Sequence, residues 1–165
     1  MKSNLDTICR YRKGKVSVGG LNNANYISTE NMLPNKAGVM EAASLPMASL
    51  TQEYRAGDVL VSNIRPYFKK IWQAKYDGGC SNDVLVFTAL DGTDPDFLYY
   101  VLADDIFFNY SMATSKGTKM PRGDKASIMQ YQVPIYDLNT QKKIAGILKC
   151  VDEKIETNTK INDNL

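Results

Sequence analysis

Residues 141–165 read QKKIAGILKCVDEKIETNTKINDNL, and this stretch decides how the chain is organised. Ile144, Leu148, Val151 and Ile155 recur at spacings of four, three and four, which puts them on one stripe of an α-helix. Asn158, Asn162 and Leu165 continue the stripe, and Ile147 and Ile161 lie beside it. The pattern is a short coiled-coil seam with two polar positions. A helix of about 26 residues spans roughly 39 Å at 1.5 Å per residue. Such a helix overhangs a domain of residues 1–138 and leaves part of an apolar stripe wet. Two copies pairing through Ile144, Leu148, Val151 and Ile155 would bury it, with Asn158 and Asn162 setting register. Folding back on its own domain is the competing arrangement.

Upstream of the helix the pattern changes to that of a mixed α/β domain. Residues 58–64 (DVLVSNI) alternate as a strand, with Val59, Val61 and Asn63 on one face and Leu60, Ser62 and Ile64 on the other. Residues 69–76 read as a second strand, with Trp72, Ala74 and Tyr76 on one face. Gly78-Gly79 reads as a turn. Residues 83–88 (DVLVFT) have the continuous apolar centre of a strand buried on both faces. Asp94-Pro95 opens a helix, and Phe97, Leu98, Val101, Leu102 and Ile106 carry it to about Ser111. Residues 130–136 (QYQVPIY) form a last strand. Residues 1–25 read as a short helix or strand and then a polar loop, and residues 33–52 as irregular. The predicted architecture is a domain of residues 1–138, with a small sheet and helices, followed by a long helix over 139–165.

The 165 residues are 44% hydrophobic, 10% aromatic and 23% charged, the composition of a globular domain. No apolar run is long enough to span a membrane, and MKSNLDTICRYRKGK contains no apolar signal region, so a cytoplasmic protein is expected. Histidine is absent, which removes imidazole chemistry and Ser-His-Asp or Cys-His pairs. Cys9, Cys80 and Cys150 stand about 70 residues apart and form neither a metal site nor a disulfide framework. No phosphate-cradling P-loop, dinucleotide fingerprint, nucleophile elbow or amino-methyltransferase motif occurs. Asp104-Asp105 and the Asp94/Asp96 pair read as caps or solvated surface. Neither a catalytic residue nor a cofactor is expected.

The net charge of +2 hides an uneven distribution. Residues 1–75 carry eleven basic and five acidic side chains, residues 76–115 none and seven, and residues 116–125 four and one. Local basic surfaces would therefore meet a polyanion, not the overall charge. In Asn63-Ile64-Arg65-Pro66-Tyr67-Phe68-Lys69-Lys70-Ile71-Trp72, cations interleave with aromatics at a strand-to-strand turn. Fixed cations suit phosphates and flat rings suit bases or sugars. The same stretch also reads as core aromatics beside solvated cations, and for Trp72 the core reading is stronger. Residues 115–125 (SKGTKMPRGDK) form a cationic, glycine-containing loop between rigid elements. The groove-facing candidates are Lys116, Thr118, Lys119 and Arg122. Arg65, Lys69 and Lys70 are candidates for the phosphate backbone, with Asn63 and Tyr26 secondary. The run Arg10-Tyr11-Arg12-Lys13-Gly14-Lys15 reads better as solvated surface.

The ordered set YISTENM, GDVLVSNIRPYFKKIW, SNDVLVF, LYYVL, SKGTKMPRGDKASIMQYQVPI and QKKIAGILKCVDEKI resembles the specificity subunit of type I restriction–modification systems across nearly the whole chain. The resemblance implies a non-catalytic subunit whose target recognition domain reads half of a split duplex DNA sequence. Its long helices separate two such domains. It implies docking to modification subunits, which methylate adenine at N6 with S-adenosylmethionine, and to a restriction subunit, which translocates and cuts with ATP. The helix's outer face, with Lys142, Lys149, Glu153 and Lys160, would be open to the modification subunits. The usual subunit resembles two domains and two helices; this chain resembles half of one, so a homodimer reading a palindrome is the expectation. Two alternatives differ in kind. One is a protein-interaction adaptor working through the helix. The other is a small nuclease holding magnesium at Asp58, Asp77 or Asp83.

Overall fold

The computed structural model describes residues 1–165. Along the chain the strands are β1 (Lys2–Asn4), β2 (Cys9–Tyr11), β3 (Lys15–Ser17), β4 (Tyr26–Ile27), β5 (Leu50–Tyr54), β6 (Val59–Ser62), β7 (Ile71–Gln73), β8 (Gly78–Cys80), β9 (Val84–Ala89) and β10 (Gln132–Pro134). The helices are α1 (Pro95–Leu102), α2 (Asp105–Ala113), α3 (Lys125–Ile128) and α4 (Leu138–Asp163).

The lack of polar alternation in β9 has a direct cause. Its sheet, in the order β2-β9-β6-β7, is covered on both faces. Val59, Val61, Leu85 and Phe87 face a core completed by Leu98 and Leu102 of α1, Phe107 and Phe108 of α2, Ile128 and Val133. Leu60, Trp72, Val84 and Val86 face the other way, into a core shared with Ile27, Met32, Tyr54 and Cys80. Those last residues come from or adjoin a second sheet, ordered β3-β5-β8-β4, in which β4 and β8 run parallel. The third sheet is the pair β1-β10, which ties residues 2–4 to residues 132–134. The molecule is thus helices, sheet and sheet in layers, with α4 leaving from one end.

Several expectations need correction. Gly78-Gly79 is strand, not turn. A Cβ at Gly78 would collide with the Asn25 carbonyl and lie 2.5 Å from Tyr54 Oη, so glycine is there for close approach of neighbouring chain. The helix over 95–111 is two helices. Asp104 breaks it by capping α2 with its own side chain on the Ile106 N–H, so Ile106 lies in the first turn of a new helix and is exposed. The second strand is only Ile71–Gln73, because Lys69 is left-handed and ends a 3₁₀ turn over Pro66–Phe68. Residues 1–25 supply three short strands. No helix is long and apolar enough to cross a membrane.

The last helix starts at Leu138, capped by Asp137. Its first half packs on α1, where buried Gln141 bonds the Asp94 N–H and the Gly92 and Tyr136 carbonyls. Farther along, Lys149 pairs with Asp96 and Tyr100 donates to Asp152. Residues 153–165 are exposed on every face. Leu148, Val151 and Ile155 are 40%, 48% and 58% exposed, while Ile144 is half-buried.

Candidate nucleic-acid interface

The two cationic segments, some 55 residues apart in sequence, are joined by backbone hydrogen bonds. Arg65 N–H donates to the Pro121 carbonyl at 2.8 Å, Gly123 N–H donates to the Asn63 carbonyl at 3.1 Å, and Ile64 bridges Arg122. Lys116 and Arg122 exchange both backbone bonds at 2.9 Å, closing residues 116–122 into a small antiparallel loop. Gly117 turns this loop with φ 95°. Lys116, Thr118, Lys119 and Arg122 are exposed on it. Gly123 seats the loop; a Cβ there would stand 2.5 Å from Asn63 Oδ1 and 2.9 Å from Ile128 Cδ1.

Charge is partly pre-paired at this surface. The Arg122 guanidinium contacts Asp83, and Lys116 Nζ lies 3.7 Å from Asp124. Asp105 at the start of α2 takes Lys36 at 2.8 Å and Lys69 at 3.1 Å; these two ammonium groups, Lys36 first, hold its carboxyl below the usual range. Lys70 Nζ donates to the Thr29 carbonyl at 2.7 Å and lies 5.6 Å from the Phe68 ring centre. Two buried side-chain polar atoms lack a protein partner, Asn63 Oδ1 and Arg65 Nε, and both sit at the junction of the two segments.

The backbone here is held in costly shapes. Asn35, Lys36, Arg65 and Lys69 are the non-glycine residues with positive φ, and they meet: Asn35 N–H donates to the Phe68 carbonyl and Lys36 N–H to the Lys69 carbonyl, both at 2.8 Å. Left-handed conformations of this kind persist only where surroundings over-determine them, and they gather at working surfaces. Between Arg65 and Lys69, Tyr67 and Phe68 are 48% and 39% exposed. Trp72, by contrast, is buried core beside Tyr54.

The backbone bonds therefore bring Asn63 and Arg65 against the loop that exposes Lys116, Thr118, Lys119 and Arg122, although Asn63 Oδ1 and Arg65 Nε are themselves buried; Lys69 lies beyond the 3₁₀ turn. Lys70 is turned toward Thr29. Tyr26 is 6% exposed and contributes little surface. Sequence reasoning missed Lys36, because nothing in Pro34-Asn35-Lys36 announces a backbone pairing with residues 68–69. In the Arg10–Lys15 run, Arg12 is no solvated cation: both its Nε and Nη2 contact Asp58, which also accepts from the Arg55 N–H and Thr88 Oγ1. Asp77 accepts from the Ala56 N–H, and Asp83 holds Arg122.

The chain is thus a layered β core that clamps two cationic loops together and projects a largely bare helix. A family profile, the type I restriction modification DNA specificity domain, matches residues 6–165, and the chain belongs to that family. The specificity subunit of the Haemophilus influenzae type I restriction enzyme HindI is 29% identical over 157 residues, covering 87% of this chain and 33% of that protein. The Escherichia coli EcoDI specificity subunit is 26% identical over 128 residues, 73% of this chain and 28% of that one. The chain thus spans about a third of the length of these relatives. The HsdS subunit from Thermoanaerobacter tengcongensis superposes with a TM-score of 0.74 at 18% identity, over 98% of this chain and 44% of that one. The S subunit of a type I restriction-modification system from M. genitalium gives 0.65 at 17%, over 97% and 41%. These likenesses establish the fold.

Proposed function

We propose that this chain is a non-catalytic, sequence-specific duplex DNA recognition unit of a type I restriction–modification enzyme, working in the cytoplasm. Residues 1–138 are the target recognition domain and 139–165 the spacer helix. The observation that supports it most is the backbone clamp joining Asn63-Ile64-Arg65 to residues 116–123. That clamp turns two separate cationic stretches into one rigid face, from which phosphates and base edges are both within reach. Lys116 and Lys119 neutralise phosphates. Arg122 shares Asp83 until a guanine edge offers a bidentate partner. Family membership supports the same reading.

Partners follow from the helix. Two copies pair in a coiled coil through Ile144, Leu148, Val151 and Ile155, antiparallel, so that the two domains stand about 40 Å apart, near one turn of B-DNA. The modification subunit, which supplies methyl transfer to adenine N6, docks on the outer face of that pair, and the restriction subunit joins the assembly. Selection of duplexes from a random pool by the full chain, with and without modification subunits, tests the proposal. The expected product is two identical short half-sites in inverted repeat around an unspecified spacer. A pool that stays random, or a target without inverted symmetry, contradicts it.

A further inference from the structure

We propose that Tyr67 and Phe68 form a stacking wedge that enters the duplex and opens one base step, so that the ease of unstacking this step is part of what the domain recognises. The proposal rests on the duplex-DNA reading above and adds a second mode of readout to it. The two rings are exposed, 4.8 Å apart and tilted by 55°. They sit on a three-residue turn fixed at both ends by left-handed residues, Arg65 at φ 50° and Lys69 at φ 54°. The Arg65 N–H bond to Pro121 holds one end, and the Asn35 N–H bond to the Phe68 carbonyl holds the other. α2 packs behind the turn. The rings are thus presented outward on a rigid support, and inserting them loses little conformational freedom.

The surroundings select the ligand. Arg65, Lys69 and Lys70 flank the rings, Lys36 adjoins them, and the loop of Lys116, Lys119 and Arg122 is joined to the same turn. Flat apolar faces ringed by cations match bases between phosphates. Most of these cations already have a partner in the protein, but Arg65 and Lys119 pair with no carboxylate, and an apolar protein surface would satisfy the rings and leave those two charges unmatched. Proteins that open a base step use apolar side chains in this way, and the work of unstacking depends on the step, which gives specificity without hydrogen bonds to a base.

The test uses the full chain and a duplex selected by it, carrying 2-aminopurine at each position in turn. Fluorescence per bound complex should rise at one step. Changing both Tyr67→Ala and Phe68→Ala should abolish that rise and weaken binding about tenfold or more, as loss of a stacked base does. Tyr67→Phe should keep both. Lys119→Ala should weaken binding and keep the rise. A double variant that melts like the parent and retains its affinity and fluorescence overturns the wedge while leaving DNA binding intact. So does a parent that binds the duplex with no position brightening. If the parent retains no duplex at low salt, the DNA reading and the wedge fall together.

Discussion

Arg12 and Asp58 show how one residue's role can differ from its appearance in sequence. In a run of four cations Arg12 looks like its neighbours, yet it is the partner of a buried carboxylate that also orders the turn before β6. Cations flanking it carry no such partner in the sequence pattern, so the distinction arises only when β2 and β6 are brought to opposite sides of β9. The pattern of its loop makes Arg122 a candidate site residue; its link to Asp83 is not legible there, because 39 residues separate them. Arg122→Ala should relax preference at one base position, with discrimination lowered by about 1–3 kcal/mol. Competition among single-base variants of a selected duplex reads this directly, and an unchanged profile removes Arg122 from the base edges. The cysteines give a separate check on the fold. Burial first, with a nearby Asp6, pushes the Cys9 thiol from 9.0 up to about 12; burial, against a bond from Gln52, pushes Cys80 likewise to about 12. Cys150 is exposed. At pH 8 a maleimide should modify Cys150 alone in the native chain and all three thiols in urea. The sign of the pH effect follows: the folded thiols keep their protons where unfolded ones lose them, so stability is full below pH 9 and falls as pH rises from 9 toward 12. A denaturation midpoint flat across that window contradicts the burial of these thiols.

At the scale of elements, the strands with the clearest pattern were the most legible. The apolar run of β9 and the alternation of β6 follow from side-chain direction alone, and both cores use them as expected. The Asp94-Pro95 start of α1 was also readable, because capping is local chemistry. What escaped was set by distant neighbours. Two adjacent glycines carry the same local signal whether they turn the chain or admit a packed tyrosine. Gly78→Ala should therefore destabilise the fold by about 3 kcal/mol, the order expected when a buried methyl has no room. Gly146→Ala, on an exposed helical position with open space around it, should be neutral or slightly stabilising. Urea midpoints of the two variants compare these directly; equal midpoints would mean that β8 does not lie against Asn25 and Tyr54. Asp104-Asp105 reads in the sequence as cap or solvated surface, without saying which residue does which. Asp104 caps a helix, while Asp105 holds two lysines of the candidate interface.

At the scale of the whole molecule, the stripe read first from the sequence is the part that the fold leaves most open. The first turns of α4 are used locally, through Gln141 and Ala145, while Leu148, Val151 and Ile155 remain in water. Leu148→Asp should convert a dimer to a monomer at micromolar concentration without altering the domain, since it places unpaired carboxylates in an apolar seam. Light scattering of parent and variant decides this, and a parent that is monomeric contradicts the pairing. The candidate face reads in the sequence as two cationic stretches, and the backbone clamp between residues 63–65 and 121–123 joins them. On the duplex-DNA reading, Lys116 and Lys119 of that face lie against phosphates. The most direct test is the salt dependence of duplex binding by the full chain and by a Lys116→Ala, Lys119→Ala double variant. The predicted result is a logarithmic slope shallower by roughly 0.9 for each phosphate contact removed, with affinity lowered for all sequences alike. A slope identical to the parent's, in a variant that melts normally, would contradict it.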